Sequence, residues 1–127
     1  MAQGELVVRA FRLIPFHAPG TLPSLGNFGG LYIIPVNLCI GNITVIRGTA
    51  GSSGTTTITV TRTRAGVPTI LATLSVTQAA GANATNTVSL GTGDVLANID
   101  VNDILSCQLT AVEAGTPRDL SVCIECR

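Results

Sequence analysis

The chain has no lysine and no tryptophan, and only four aromatic residues: Phe11, Phe16, Phe28 and Tyr32. Bases therefore find little to stack on, and seven arginines balanced by seven acids leave no net field to hold a polyanion. No nucleic-acid partner is expected. Charge of either sign is scarce, 11% of residues against 46% hydrophobic. A free monomer usually carries roughly a quarter to a third charged residues on its surface, so part of this surface is expected to be covered by neighbouring subunits. The opening Met1-Ala-Gln-Gly-Glu5 has no basic n-region, and Arg9 and Arg12 interrupt the first apolar stretch. The reading is no secretory leader, no membrane span and synthesis in a cytoplasm.

What is present suits pleated sheet. Seventeen threonines accompany many small and β-branched residues, while helix formers for a polar face are few. At 127 residues the chain is long enough for one core without disulfides or metals to staple it. One β-sandwich domain over 1–127 is expected, with 1–30 forming an N-terminal strand plus an extended arm and 31–127 the sandwich core.

Residues 5–14 read as a first strand, ended where Pro15 removes a ladder donor. The segment 15–30, with Pro15, Pro19, Pro23 and four glycines, shows no clean period and reads as an extended Pro/Gly-rich arm. Two apolar runs then flank Pro35, and Gly41-Asn42 in the second suggests a bulge or bend. Ile58 and Val60 alternate with Thr57, Thr59, Thr61 and Thr63, the period of a half-buried strand. Gly48-Thr-Ala-Gly-Ser-Ser-Gly54 before it reads as a flexible hairpin turn, and Arg64-Ala-Gly66 after it as a second turn. Ile70, Ala72, Leu74 and Val76 form another strand; 78–86 reads as loop, 87–90 as a short strand and 91–94 as a turn. Leu105, Cys107, Leu109 and Ala111 share one face, as do Leu120, Val122, Ile124 and Cys126. About eight short strands with no crossover helix predict an all-β, antiparallel sandwich of the jelly-roll or immunoglobulin-like class.

Three groups of residues invite chemistry. Cys123 and Cys126 have a CxxC spacing, but an odd separation in a strand puts their thiols on opposite faces, and no second close pair completes a zinc site. With Cys39 and Cys107 they read by default as reduced, buried thiols, zinc or a disulfide being the competing readings. His17 is the one histidine; as a general base it would need a nucleophile and an orienting carboxylate, and it reads instead as a surface or subunit-contact residue. Asp94, Asp100 and Asp103 lie close enough in sequence to suggest calcium, yet lack the alternation of an EF-hand. The preferred reading makes Asp94 and Asp103 turn residues that accept backbone N–H bonds. The sequons Asn42-Ile-Thr44 and Asn83-Ala-Thr85 matter only in a secreted eukaryotic protein. No catalytic, cofactor-binding or metal residue is assigned.

The stretch from about Ile43 to Ile124 resembles a β-sandwich module frequent in bacteriophage structural proteins, including decoration proteins and tail or fibre components. The residues that carry the likeness are the Gly48–Gly54 turn, Thr55-Thr-Thr-Ile-Thr-Val60, the turn before Ile70, Ala79-Ala-Gly-Ala-Asn83, Asp94, Val101-Asn-Asp-Ile-Leu105 and Asp119-Leu-Ser-Val-Cys-Ile124. Where the module often carries lysine and asparagine, this chain has Arg62, Thr63 and Arg64, and cysteines in the last strands are not part of the pattern. The resemblance implies a non-enzymatic virion protein on the capsid surface: a capsid decoration (cement) protein bound to the major capsid protein or other virion subunits. It further implies a homo-oligomer, a trimer being favoured, without cofactors. The alternative is a tail, baseplate or head-fibre adhesin module that binds host surface glycan or protein; the shortage of aromatic platforms weighs against it.

Overall fold

The computed structural model describes residues 12–22, 25–90 and 95–126. Nine strands form among them: β1 Arg12–Thr21, β2 Gly26–Ile33, β3 Leu38–Thr49, β4 Thr55–Arg64, β5 Val67–Thr77, β6 Ala84–Ser89, β7 Asn98–Ile99, β8 Ile104–Ala111 and β9 Arg118–Cys126. All pair antiparallel, in two sheets. One sheet runs β1-β9-β3-β6, with β7 added to the start of β3; the other runs β2-β8-β4-β5.

The pairing is nested. β1 lies against β9, β2 against β8, β3 against β6 and β4 against β5. With the two-residue β7 set aside, the chain is one long hairpin rolled up so that successive rungs fall alternately in the two sheets, which is the eight-stranded jelly roll. The expected antiparallel sandwich is thus present with nine strands. Of the two expected topologies the jelly roll forms, because an immunoglobulin sandwich would put the first strand beside the second.

Alternation builds the core. Ile14, Phe16 and Ala18 of β1, Ile43 and Val45 of β3, Ile58 and Val60 of β4, Leu105, Cys107 and Leu109 of β8, and Leu120, Val122, Ile124 and Cys126 of β9 all point inward and are buried in one cluster. Each large side chain taken from water contributes roughly 1.5–3 kcal/mol. The Gly41-Asn42 irregularity is where the β3–β9 register shifts, between Ile40 and Ile43. Arg64 pairs with Val67, so Ala65-Gly66 closes β4 and β5 with a two-residue turn in which both φ angles are positive (50° and 81°), the twist such hairpins need.

Three expectations require correction. The segment 15–30 is not an arm: β1 passes straight through Pro15 to Thr21, and β2 begins at Gly26. Proline is tolerated there because β1 is an edge strand with β9 as its one neighbour in the sheet, so that every second N–H points away from the ladder. The Gly48–Gly54 turn joins no hairpin, since β3 and β4 lie in different sheets and the turn crosses between them. β6 starts at Ala84, three residues before the expected strand. The expected first strand over 5–14 is described only from Arg12 on, and what these expectations say of 1–11, 23–24 and 91–94 lies outside the described residues.

Candidate functional site: two ion-pair clamps and an uncharged sheet face

On the inward side of β3, Ile43 and Val45 are followed two residues later by Arg47, while β8, its alternation broken by a register shift after Leu109, ends at Ala111 and leads into the turn that carries Glu113. Alternation along β3 turns Arg47 inward and the turn after β8 brings Glu113 to the same interior end, where both side chains are wholly buried. Arg47 Nε donates to Glu113 Oε2 at 2.7 Å, while its Nη1 and Nη2 donate to the carbonyls of Gly81 and Thr77 at 2.6 and 2.7 Å. Glu113 Oε2 also accepts from Thr56 Oγ1 at 2.7 Å, and Oε1 accepts from the Gly51 N–H at 2.9 Å. Burial pushes the Glu113 carboxyl up; the bonds from Arg47, Gly51 and Thr56 and the charge of Arg47 outweigh it and hold it below its ordinary value.

This clamp fastens the 48–54 crossing, so that turn is anchored rather than flexible. Ser52 N–H donates to the Ala114 carbonyl and Ala114 N–H returns a bond to Ser53. Gly51 is required by space: a Cβ there would overlap the Ala114 carbonyl oxygen and lie 2.8 Å from Glu113 Cβ.

At the other end of β4, Arg64 grips Asp103 with two nitrogens, Nε to Oδ1 at 3.0 Å and Nη2 to Oδ2 at 2.7 Å, and touches Asp100 at 3.2 Å. Asp103 Oδ2 also accepts the Asp100 N–H at 2.8 Å. The hydrogen bonds from Arg64 hold Asp103 below the usual carboxylate range, and the same bond raises Arg64. Asp103 is therefore the expected turn residue, and an arginine occupies its oxygens where calcium would need them. Asp94 lies outside the described residues.

His17 and Ser121 are cross-strand neighbours on the outer face of the β1–β9 pair, and Nδ1 and Oγ share a hydrogen bond at 2.6 Å. His17 is exposed, open to water on the sheet surface. Cys123 and Cys126 do lie on opposite faces, the first half-buried and outward, the second buried and inward. Cys39, Cys107 and Cys123 are free thiols. Burial pushes the Cys107 thiol up to about 12, so it is inert as a nucleophile. Burial, and then the charge of Glu125, also raise Cys123. Among the described residues, no three His, Cys, Asp or Glu side chains cluster as metal ligands. Of the sequons, Asn42 bonds Ser89 Oγ, and Asn83 adopts a positive φ of 55° ahead of β6.

The outer faces of the two sheets differ. That of β1-β9-β3-β6 carries His17, Asp119 and Glu125. That of β2-β8-β4-β5 presents no ionisable side chain among the described residues. Its middle rows read Leu31, Ser106, Thr61, Ile70 and Asn27, Gln108, Thr59, Thr73 across the four strands. Many of its polar groups already bond one another: Thr61 Oγ1 donates to Gln108 Oε1 at 2.8 Å, Thr57 and Ser75 hydroxyls pair at 3.0 Å, and Thr110 Oγ1 donates to the Thr57 carbonyl at 3.2 Å. On the two edge strands, Leu31, Ile33 and Ile70 stand more than 60% exposed.

The clamps were missed from sequence, since their partners lie 66 and 39 residues apart. The available signal was parity for Arg47 alone, a lone arginine at an inward position of β3; Glu113 follows β8 past a register shift and carried none. A scan against known protein families finds no match to this chain, and a search of curated proteins finds none.

Proposed function

We propose that the chain is a non-enzymatic structural subunit of a virion, a capsid decoration protein that binds a phage head as a homo-oligomer and stabilises it. The observation that carries this reading is the uncharged outer face of β2-β8-β4-β5, with Leu31, Ile33 and Ile70 bared on a protein short of surface charge. Such a face is suited to protein contact, and burying it leaves no lone charge behind. The ionisable groups of the two clamps serve a second requirement of a shell protein, holding long turns rigid. Jelly rolls serve capsids, lectins and cupins alike, so the fold is compatible with the reading without selecting it. The sequence pattern shared with phage modules adds the direction, since it spans β3 to β9, the clamped 48–54 crossing included. Binding that favours the assembled shell stabilises it by mass action.

The test is immunogold labelling of particles banded on a density gradient from the lysate in which the chain is made. Label distributed over the capsid supports the reading. Label confined to a tail tip or fibre favours the adhesin alternative, and protein left wholly at the top of the gradient overturns the virion assignment.

A further inference from the structure

We propose that two copies of this chain pair through the free edge of β6, antiparallel about a two-fold axis, so that the β1-β9-β3-β6 sheet runs on from one copy into the other. The inference deepens the assembly reading by naming a partner and the strand it joins, and it rests on that reading only for the biological setting.

Each sheet ends in two edge strands, and an edge offers unpaired backbone N–H and C=O groups to any strand that can reach them. Three of the four edges are obstructed. β1 has Pro15 and Pro19, which carry no N–H, and β2 lies so close to it that a Cβ on Gly29 would sit 2.9 Å from the His17 nitrogen. β2 is broken by the register shift between Phe28 and Leu31, so no run longer than three residues stays in register with β8. β5 has Pro68 next to its first residue, skips Leu71 in its pairing with β4, and has the Ser75 carbonyl taken by Asn86 Nδ2 at 3.0 Å. β6 is the exception. Ala84–Ser89 contains no proline, glycine or charge and pairs with β3 along its whole length without a shift. Among the described residues its backbone bonds no strand but β3, so every second residue turns its N–H and C=O away from the sheet.

The obstructions also fix the partner. A second copy can meet β6 only with its own β6, because its other edges are closed, so the contact is isologous and stops at two copies instead of growing into a filament. β6 is self-complementary in that arrangement. Thr85, Thr87 and Ser89 are exposed on the outer face, while Ala84, Asn86 and Val88 alternate with them on the inner side. Any two-fold register that keeps the inner side inward sets hydroxyl residues opposite hydroxyl residues, a favourable cross-strand pairing, and brings no like charges together. The assembly is then a dimer, where the resemblance implies a trimer, and the outer face of β2-β8-β4-β5 stays uncovered for contact with the shell.

Sedimentation of the full chain over a range of concentrations, read beside amide hydrogen exchange, tests the pairing. The unaltered chain is expected to dimerise, with exchange in 84–89 slowing as the dimer fills. Thr87→Glu and Thr87→Arg are each expected to lose the dimer, since both place like charges about the axis; mixing the two restores it at low salt and releases it as salt is raised. Leu13→Glu, 61% exposed on β1 at the far edge of the same sheet, leaves the dimer intact. Thr87 makes one surface hydroxyl bond, to Thr44, so unchanged melting by circular dichroism shows that the variants fold. A monomer at every concentration, a dimer untouched by Thr87→Glu, or failure of the mixture to reassemble overturns the pairing. Slowing in 84–89 that appears only when capsid subunits are added assigns the edge to a foreign strand and overturns it as well. Particle labelling, read separately, keeps failure of the virion assignment distinguishable from failure of the dimer.

Discussion

The two ends of β4 make the same kind of bond in different surroundings. Near Thr56 the Arg47–Glu113 pair is sealed from water on both sides; near Arg64, about 27 Å along the strand, Asp103 is buried but its arginine is 41% exposed. Chemistry is held nearly constant while the dielectric changes. The dry clamp must satisfy every charge internally, and it does so by recruiting two carbonyls from 77–81, a backbone N–H from 48–54 and a hydroxyl from the start of β4. The wetter clamp leaves part of the work to solvent. Burial therefore makes the first clamp the point where turns 48–54, 77–81 and 113–114 depend on one another.

The largest effect expected is for Glu113→Ala, which strands the Arg47 guanidinium and should cost about 3–5 kcal/mol in chemical denaturation. Adding Arg47→Met should recover only part of this, because the carbonyls of Thr77 and Gly81 and the N–H of Gly51 still lose their partners. Full recovery would show that those extra bonds are unimportant. Gly51→Ala should cost about 1–3 kcal/mol by forcing 113–114 aside. Asp103→Ala should also cost about 1–3 kcal/mol, and less than Glu113→Ala, because the Arg64 it abandons is hydrated. An equal or greater loss would erase the contrast between the ends.

Acid provides a finer comparison. Both carboxyls are held below their unfolded values of about 3.9 for Asp and 4.3 for Glu, so as pH falls the unfolded chain takes up protons first. Their contribution to stability is complete above that range and is lost as pH falls through the folded values. Glu113→Gln and Asp103→Asn should each flatten the acid limb of stability measured between about pH 5 and 2. Smallest of all, Asp100→Asn should leave the denaturation midpoint unchanged, its carboxylate being 55% exposed beside Arg64.

Local signals account for what was legible. Ile58 and Val60 among threonines announce β4, and the same period exposes the last two strands, because one face of each is buried. The period was also present in β1, where Ile14, Phe16 and Ala18 alternate with Pro15, His17 and Pro19. It was obscured by prolines, which break central strands but are tolerated at an edge, and edge position is set by pairing with β9 a hundred residues away. The 48–54 turn looked like a hairpin because Gly and Ser report a turn without reporting which sheet the next strand joins. Arg47 carried only parity, Glu113 lies past the register shift and the end of β8, and nothing local links them. The uncharged face was half visible: the threonines of β4 marked it, but its neighbours on β2, β5 and β8 are chosen by register.

The uncharged outer face of β2-β8-β4-β5, with Leu31, Ile33 and Ile70 exposed, is the ground for proposing an assembly subunit. Light scattering of the purified chain over about a hundredfold dilution tests it most directly. A closed oligomer of constant mass is the predicted result, and a monomer at every concentration would contradict it.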